Sequence, residues 1–404
     1  MGVLMRFLLK VLAGLFLGIV VGLILGQEGT AFANTYIAPV GKAFLRLLKM
    51  MIVPLVFTSI VVGVSSLDDV AKLGRTGGKT MVVYLLTTFV AVVLAIFMGV
   101  LFQPGVGLHI ALPEGVAVNL TAGLSLGDSL VEMIPTNIVK AMVEDNMMQI
   151  IVFSLLVGVA LAMFGKETEL VNNFFQQSAK VCYKVIGFVI KLTPFGVFAL
   201  TVPIVVQNGT AVFLPLLKLL LFFLLACLLH VVFVYGFLLL ASGLNPLQYF
   251  KNIMPAFVMA LGVRSSSVTL PVTIRCCKKM NISDSLTSFI LPLGAVVNMD
   301  GTAIYEGICA VFVAQVYGIE LGMAQYAMIA MTGTLASIGN ATVPGSSFVM
   351  LTMVLSAVGL PLEGTALVAG IDCVMDMLRT GVNVIGDSVV CGVVAKSEGE
   401  SVLS

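Results

Sequence analysis

The residues with the clearest chemical potential lie in one apolar segment near the end of the sequence. The run DCVMDMLRTGVNVIGD covers residues 372–387. Its polar members are Asp372, Asp376, Arg379, Thr380, Asn383 and Asp387. The steps between them are mostly three or four residues, so a helix places all but Thr380 within roughly 80° of one face. Such convergence of charged groups in an apolar helix indicates a binding face.

The charges of this face predict a cation partner. Three aspartates and one arginine leave a net charge of about −2 when all are ionised. Asp300, in the motif NMDGT at 298–302, adds another carboxylate within an apolar run. Oxygen atoms of Asp, Asn and backbone carbonyls are hard ligands that suit Na⁺, and Gly301 predicts local unwinding that frees such carbonyls. Protonation of the carboxylates is the alternative.

The same face predicts an acidic substrate with an amine. The planar guanidinium of Arg379 can pair with a carboxylate through two hydrogen bonds, and Asp376 can accept an ammonium group. Ser265, Ser266 and Ser267 precede a short helix whose N-terminal amides favour an anion. Two structural alternatives stay open at this point. One is an ordinary helix cap at these serines; the other is an internal ladder in which Asp372 or Asp376 pairs with Arg379.

The composition indicates that the elements carrying these residues span a membrane. The chain has 404 residues, of which 59% are hydrophobic and 10% charged, whereas soluble domains carry about a quarter charged residues. Apolar runs near the length of a membrane span recur along the whole chain, and in lipid such runs must be helices. The net charge is +1, and no basic cluster suggests a nucleic-acid partner. In a membrane, each charge at a helix centre costs about 2.5–3.5 kcal/mol, so the 372–387 face needs a compensating function.

Two apolar segments cannot be simple spans. Residues 247–277 are interrupted by RSSS at 264–267, and residues 322–357 by NATVPGSS at 340–347. Paired interruptions predict re-entrant helical hairpins and a transporter site near the middle of the membrane. Two kinked but ordinary spans are the alternative. The early loops place Lys and Arg on one side and none in 103–139, which predicts a cytoplasmic N-terminus.

Other functional classes are less consistent with the sequence. An intramembrane hydrolase would need a histidine near an acid, yet only His109 and His230 exist and no GxSxG motif occurs. His230 lies in an apolar span without an acidic neighbour in sequence, so it is expected to be a packed helix residue. A channel is the third class, and saturable exchange against internal substrate would distinguish a carrier from it. The protein is therefore not expected to be an enzyme.

At these motifs the sequence resembles the glutamate transporter family, the dicarboxylate/amino acid:cation symporters of prokaryotic type. The resemblance covers essentially the whole chain and follows the order of the family's elements. It rests on LKMMIVPLVFTSIVVG (48–63), TPFGVFAL (193–200), RSSSVTLPVT (264–273), NMDGT (298–302), ASIG (336–339), VPG (343–345) and DMLRTGVNVIGD (376–387).

The resemblance implies an all-α membrane protein of eight transmembrane helices plus two re-entrant helical hairpins, with inverted repeats. It implies a homotrimer in the inner cell membrane that works by an elevator mechanism. The implied division is 1–75 for scaffold helices 1 and 2, 76–103 for transport-domain helix 3, 104–206 for scaffold helices 4 and 5 with an extracellular segment, 207–242 for helix 6, 243–280 for hairpin 1, 281–319 for helix 7, 320–358 for hairpin 2, and 359–404 for helix 8.

The resemblance also implies the site residues. Implied substrate contacts are Arg379, Asp376, Thr380, Asn383, Thr302, Ser265, Ser266, Val343, Gly345 and Ser347. Implied sodium ligands form three sets: Gly294, Asn298, Asn383 and Asp387; Val296, Ser337, Ile338 and Asn340; and Tyr84, Thr87, Thr88, Asn298 and Asp300. Asp372 has no implied role beyond orienting Arg379.

The implied function is uptake of aspartate or glutamate coupled to co-transported Na⁺. Within the family, an acid at the position of Asp387 favours sodium as the coupled ion. An acid at the position of Asp376 favours an amino acid as the substrate, and an arginine at the position of Arg379 favours an acidic substrate. Asn340, Ser346 and Ser347 differ from the small residues of archaeal members at the tip of the second hairpin, and Ser347-Phe348 resembles proton-coupled bacterial members, which leaves the number of ions open. The alternative is a proton-coupled glutamate/aspartate or dicarboxylate symporter.

Overall fold

The computed structural model describes residues 2–65, 75–108, 110, 131, 134–144, 146–336 and 346–403, and these residues form helices without any strand. The helices are α1 (Gly2–Leu25), α2 (Ala38–Ser65), α3 (Arg75–Phe102), α4 (Ile138–Val143), α5 (Met147–Phe164), α6 (Glu169–Ile190), α7 (Thr193–Asn208), α8 (Phe213–Leu229), α9 (Gly236–Ala241), α10 (Pro246–Val263), α11 (Ser266–Lys279), α12 (Asp284–Val297), α13 (Asp300–Val316), α14 (Met323–Ala336), α15 (Ser346–Ala357) and α16 (Gly364–Ser397). A π-helical turn, His230–Tyr235, joins α8 to α9, and another, Ala33–Ile37, leads into α2.

Several of these helices are long and apolar enough to cross a membrane. In the part of the chain that the structure describes, they are Gln27–Ser65, Arg75–Phe102, Thr193–Ala241, Asp284–Val316 and Val374–Ser397. Shorter apolar helices cover Ala13–Leu25 and Gln149–Phe164. The prediction of an all-α, multi-pass membrane protein is therefore confirmed.

Both predicted interruptions fall between pairs of helices that pack against each other. The first lies between α10 and α11, where Arg264 adopts a left-handed backbone with φ of 54° and Ser265 an extended one. A left-handed residue ends a helix, so the apolar segment is divided at the predicted place. α14 and α15 likewise contact each other, while the intervening residues 337–345 lie outside the described part.

The NMDGT motif interrupts a third apolar segment, between α12 and α13. The break falls at Asn298 and Met299, and Gly301 already lies inside α13. The helix is interrupted within the motif as expected, but the expected cause, unwinding at Gly301, is wrong. A Cβ atom on Gly301 would lie 2.3 Å from the carbonyl oxygen of Arg379, so this glycine is required for close packing of α13 on α16.

A stripe of glycines packs α1 against α7. Gly14, Gly18 and Gly22 recur every fourth residue and so share one face of α1. A Cβ atom on Gly14 would lie 2.3 Å from the carbonyl oxygen of Pro194, and one on Gly22 would lie 2.7 Å from the Val205 Cβ. Small residues at this spacing allow the close helix approach that drives association in lipid, where there is no hydrophobic effect between helices.

The main core surrounds α13, which packs against α3, α14, α15 and α16 and is buried along nearly its whole length. A separate cluster joins α2 with α6 and α7. At one end of α16, Glu398 accepts hydrogen bonds from Lys79 at 2.7 Å and from Arg75 at 3.3 Å. These two donors lower the pKa of the Glu398 carboxyl and tie the start of α3 to the end of α16.

We expect Gly14→Ala to lower the thermal stability of the protein. The added Cβ meets backbone, which cannot move aside as a flexible side chain would, and overpacking typically costs about 1–3 kcal/mol. The chain has no Trp, so the unfolding midpoint is best measured by heating followed by size-exclusion chromatography in detergent. The control is Gly187→Ala in α6, where a Cβ has no heavy atom within 4 Å. A midpoint as high in Gly14→Ala as in the control would contradict the packing argument.

Candidate functional site

The guanidinium of Arg379 lies at the centre of the site and is 1% exposed. Its Nη1 donates to Asp372 Oδ1 at 2.8 Å, and its Nε donates to Asp376 Oδ1 at 3.0 Å. Its Cζ lies 4.5 Å from the centroid of the Tyr305 ring, within the range of cation–π attraction. The predicted ladder is therefore present with both aspartates, and Asp372 contacts Arg379 as expected.

One nitrogen of Arg379 has an ion-pair contact in this ladder but no hydrogen bond. Nη2 is 2.9 Å from Asp376 Oδ1 but makes no hydrogen bond with any residue that the structure describes. A guanidinium carries two N–H groups on this nitrogen. A buried donor without a hydrogen bond is energetically unfavourable, so a ligand carboxylate would gain the most binding energy at this nitrogen.

A second arginine enters the site from the break between α10 and α11. Arg264 is 6% exposed, and its Nη1 lies 3.5 Å from Asp376 Oδ2. The sequence analysis did not identify it. The available signal was a charged residue at the tip of an interrupted apolar segment. Because α10 and α16 are far apart in sequence, their contact could not be read from spacing.

Arg264 changes the charge count of the site. Two arginines, Arg264 and Arg379, balance two aspartates, Asp372 and Asp376, so this cluster is neutral when all four are ionised. The surplus of negative charge lies elsewhere, at Asp300 and Asp387. Asp300 is 0% exposed and Asp387 is 3% exposed.

Asp300 is surrounded by hydrogen-bond donors from two other parts of the chain. Thr88 of α3 donates to Oδ1 at 2.5 Å, and Tyr235 donates to Oδ2 at 2.7 Å. His230 Nε2 lies 3.0 Å from the same Oδ2. The interpretation of His230 as a residue remote from any acid is therefore wrong, because its acidic partner is 70 residues away in sequence.

Asp387 is linked to the broken helix through Asn298. The Asn298 Nδ2 donates to Asp387 Oδ1 at 3.0 Å and to the Asn383 carbonyl at 3.2 Å. The Asn298 Oδ1 is buried and has no hydrogen-bond partner in the described part of the chain. A Cβ on Gly294 would lie 2.7 Å from Asp387 Oδ1 and 2.4 Å from the Tyr84 hydroxyl. Five residues predicted as sodium ligands thus converge here.

Asn383 joins the two charged regions. Its Oδ1 accepts a hydrogen bond from the Gly301 N–H at 2.8 Å, and its Nδ2 lies 3.4 Å from Thr302 Oγ1. Thr380, by contrast, donates to the Asp376 carbonyl of its own helix at 2.8 Å. The structure thus brings Asn383 and Thr302 together between α16 and α13, whereas Thr380 bonds within α16 next to Arg379.

The remaining predicted residues fall into three groups. Ser265 caps α11 by accepting from the Val268 N–H at 3.4 Å, and Ser266 is the buried first residue of that helix. The Thr87 hydroxyl donates to the Tyr84 carbonyl at 3.0 Å, and Val296 is 37% exposed. Five further predicted positions lie outside the described residues: Ser337, Ile338, Asn340, Val343 and Gly345. Ser347 lies in α15, but its side chain is not among those described.

Glu306 is an acidic residue that the sequence analysis missed. It is 1% exposed, and neither carboxylate oxygen has a hydrogen-bond partner among the residues described. Its Oε2 lies 3.3 Å from the position that a Cβ of Gly333 would take, so it faces α14. An acidic residue in the middle of the apolar run of α13 was the signal for it.

We expect Asp372→Asn to destabilise the protein, because Arg379 then loses a charged acceptor in a buried position. A hydrogen bond between charged groups contributes about 1.5–3 kcal/mol. The matched control is Asp284→Asn, which removes the ion pair with Lys278 from a side chain that is 82% exposed. Exposed pairs contribute little. Equal thermal midpoints for the two variants would contradict the role of Asp372.

Comparison with known proteins relates the sequence that carries this site to a family. The model of the sodium:dicarboxylate symporter family matches residues 7–397. A proton/sodium-glutamate symport protein of Geobacillus stearothermophilus is 35% identical over 398 residues, covering 97% of this chain and 94% of the relative. A proton/glutamate-aspartate symporter of Escherichia coli K12 is 33% identical, covering 96% and 92%. A C4-dicarboxylate transport protein of Leptothrix cholodnii is 32% identical, covering 97% and 88%.

Proposed function

Because this chain belongs to the sodium:dicarboxylate symporter family, and is therefore a symporter and not an enzyme, we propose that it takes up L-aspartate or L-glutamate together with sodium ions. The observation that carries the choice of substrate is the Nη2 of Arg379. This nitrogen makes no hydrogen bond with the described residues although it is buried in a cluster of balanced charge. A carboxylate is the group that satisfies it best.

The charges around Arg379 favour a substrate that has an amine. A substrate carboxylate pairs with the guanidinium, and the ammonium group is accepted by Asp376, which lies on the same helix face. A C4 dicarboxylate has no amine to bring to Asp376, and its second carboxylate is repelled there. Further proposed contacts are Thr380, Asn383, Thr302, Ser265, Ser266, Val343, Gly345 and Ser347.

Sodium coupling is supported by two buried carboxylates that lack a basic partner from Lys or Arg. Within the described residues, neither Asp300 nor Asp387 pairs with a Lys or Arg side chain, and the buried Asn298 Oδ1 has no hydrogen-bond partner. Carboxylate, amide and carbonyl oxygens together suit a hard cation. We assign the cation ligands as Tyr84, Thr87, Thr88, Gly294, Val296, Asn298, Asp300, Ser337, Ile338, Asn340, Asn383 and Asp387.

The finer architecture also belongs to this proposal. We infer eight transmembrane helices and two re-entrant hairpins, with α10–α11 and α14–α15 as the hairpins. The helices within 76–103, 207–242, 281–319 and 359–404, together with both hairpins, would form a transport domain. This domain would move as an elevator against a trimeric scaffold in the inner cell membrane. The packing of α13 against α3, α14, α15 and α16 supports the transport domain as one body.

Proton coupling is a second candidate function, and Glu306 is the observation that favours it. Its carboxylate is buried, lacks a hydrogen-bond partner in the described part of the chain, and faces α14. A buried carboxylate without a hydrogen-bond partner is energetically unfavourable, and taking up a proton removes its charge. We therefore propose that Glu306 carries a proton in at least one step of the transport cycle, alongside sodium.

Uptake of labelled L-aspartate into proteoliposomes tests the sodium claim. An inward Na⁺ gradient is expected to drive accumulation, because each net positive charge moved across 100 mV supplies about 2.3 kcal/mol. The control replaces Na⁺ by choline at the same pH gradient. Full accumulation with a proton gradient and no Na⁺ would overturn the sodium claim and leave the proton-coupled alternative.

Arg379→Cys tests the carboxylate clamp. This variant is expected to lose binding of aspartate and glutamate and to gain affinity for neutral amino acids such as serine, since the charge that recognises the side-chain carboxylate is removed. Binding is measured by competition with labelled substrate. Arg275→Cys, at an exposed position in α11, is the matched control. Unchanged aspartate affinity in Arg379→Cys would refute the clamp.

Glu306→Gln tests the proton claim. The amide keeps the size of the carboxyl but cannot carry a proton, so the dependence of uptake on an inward proton gradient at constant Na⁺ is expected to disappear while Na⁺-dependent binding remains. Glu320→Gln, at an exposed position outside the helices, serves as the control. A proton-gradient response of unchanged size in Glu306→Gln would exclude this residue as the carrier.

A further inference from the structure

His230 and Tyr235 hold one oxygen of Asp300 in a fixed position. We propose that His230 is a positioning residue for the proposed cation site around Asp300, donating to Asp300 Oδ2 so that Oδ1 and the Thr88 hydroxyl face the cation. This inference rests on the proposed sodium function. It assigns a role to the one buried histidine that lies among the described residues, a side chain that neither the substrate cluster nor the cation ligands account for.

The local backbone explains how two donors from one segment reach the same oxygen. Residues His230–Tyr235 form a π-helical turn. In a regular α-helix, residues five apart point about 140° away from each other. A π-turn joins residue i to residue i+5, which brings such positions onto one face. The ring centroids of His230 and Tyr235 are accordingly 4.6 Å apart. The π-turn therefore aims both donors at Asp300.

The direction of each hydrogen bond follows from the chemistry of its partner. An ionised carboxylate only accepts hydrogen bonds, so the Nε2 of His230 must be the protonated nitrogen of this pair. Tyr235 donates to the same Oδ2 at 2.7 Å, and His230 Nε2 lies 3.0 Å from it. Two donors fix Oδ2, whereas Oδ1 is met by a single hydroxyl. The carboxylate thus presents Oδ1, with one hydroxyl donor, towards α3.

Thr88 can yield its hydrogen bond to a cation. Its hydroxyl oxygen lies 2.5 Å from Asp300 Oδ1 and 2.9 Å from the Tyr84 carbonyl. A hydroxyl has one hydrogen and two lone pairs. If the hydrogen points to the Tyr84 carbonyl, the lone pairs of Thr88 and Oδ1 of Asp300 are available together. A cation can then bind between α3 and α13, on the side of Asp300 opposite to His230.

A packing role alone does not account for His230. Its ring is 0% exposed, and Nδ1 has no hydrogen-bond partner within the described residues. The contact with Asp300 is thus the one polar contact that the described structure gives to the ring. Burying an imidazole with an unmatched nitrogen is unfavourable compared with burying an aliphatic side chain. The gain must come from Asp300, and outer partners of metal-binding carboxylates typically change ion affinity by about 10–100-fold.

The experiment compares His230→Leu with His230→Gln in the purified full-length protein. The amide nitrogen of Gln can replace Nε2 as a donor, and Leu cannot. The dissociation constant of L-aspartate is measured by titration calorimetry over a range of Na⁺ concentrations. We expect His230→Leu to raise the Na⁺ concentration needed for half-maximal affinity by at least about tenfold. We expect His230→Gln to stay near wild type, and both variants to reach wild-type aspartate affinity at saturating Na⁺.

The alternative outcomes are distinct. Na⁺ dependence in His230→Leu equal to that of wild type overturns the positioning role. An aspartate affinity reduced equally at all Na⁺ concentrations indicates structural damage and also overturns it. If His230→Leu does not fold, Tyr235→Phe removes only the second donor and should shift the Na⁺ dependence in the same direction; no shift there rejects the proposal. A wild-type protein without any Na⁺ dependence would instead refute the proposed sodium function itself.

Discussion

The burial of Arg379 in an apolar helix is the constraint on which the rest of the structure depends. Arginine remains charged in proteins, and an isolated charge in a low-dielectric interior is very unfavourable. Asp372 contacts it from two turns earlier on the same helix and Asp376 from one turn earlier. Tyr305 offers a ring face, and Arg264 balances the second aspartate. These contacts require α10, α13 and α16 to meet at one place. The ion cluster thus links the packing of the interrupted segment α10–α11 to that of the broken segment α12–α13 and of α16.

The same packing brings the second charged region close to the first. Gly301 allows α13 to lie directly on the backbone of Arg379, and Asn383 connects α16 to the break that precedes α13. Asn298 donates to Asp387, and Thr88, Tyr235 and His230 surround Asp300 two residues further along the same break. Under the proposed function, the substrate cluster around Arg379 and the carboxylate pair share one helix interface, so binding at one is expected to affect the other. That linkage would be the structural basis of coupled transport.

The sequence was sufficient for the local part of this arrangement. Spacing along 372–387 predicted the shared face, and the RSSS and NMDGT interruptions predicted the breaks near Arg264 and Asn298. Contacts between distant segments were not predictable in this way. His230 contacts Asp300, which is 70 residues away in sequence. The roles proposed for Arg264 and Glu306 depend on their positions next to α16 and α14, respectively. Gly301 was recognised as special for the wrong reason, because a glycine needed for close approach and one needed for unwinding look the same in a single sequence.

The central claim is that the affinity for acidic amino acids depends on sodium. Its most direct test is the dissociation constant of L-aspartate, L-glutamate and L-serine for the wild-type protein, titrated against Na⁺ at constant pH and ionic strength. The account predicts that affinity for aspartate and glutamate rises steeply with Na⁺ concentration, while serine binds poorly throughout. Affinity for the acidic amino acids that does not change with Na⁺, or serine binding as tight as aspartate, would contradict it.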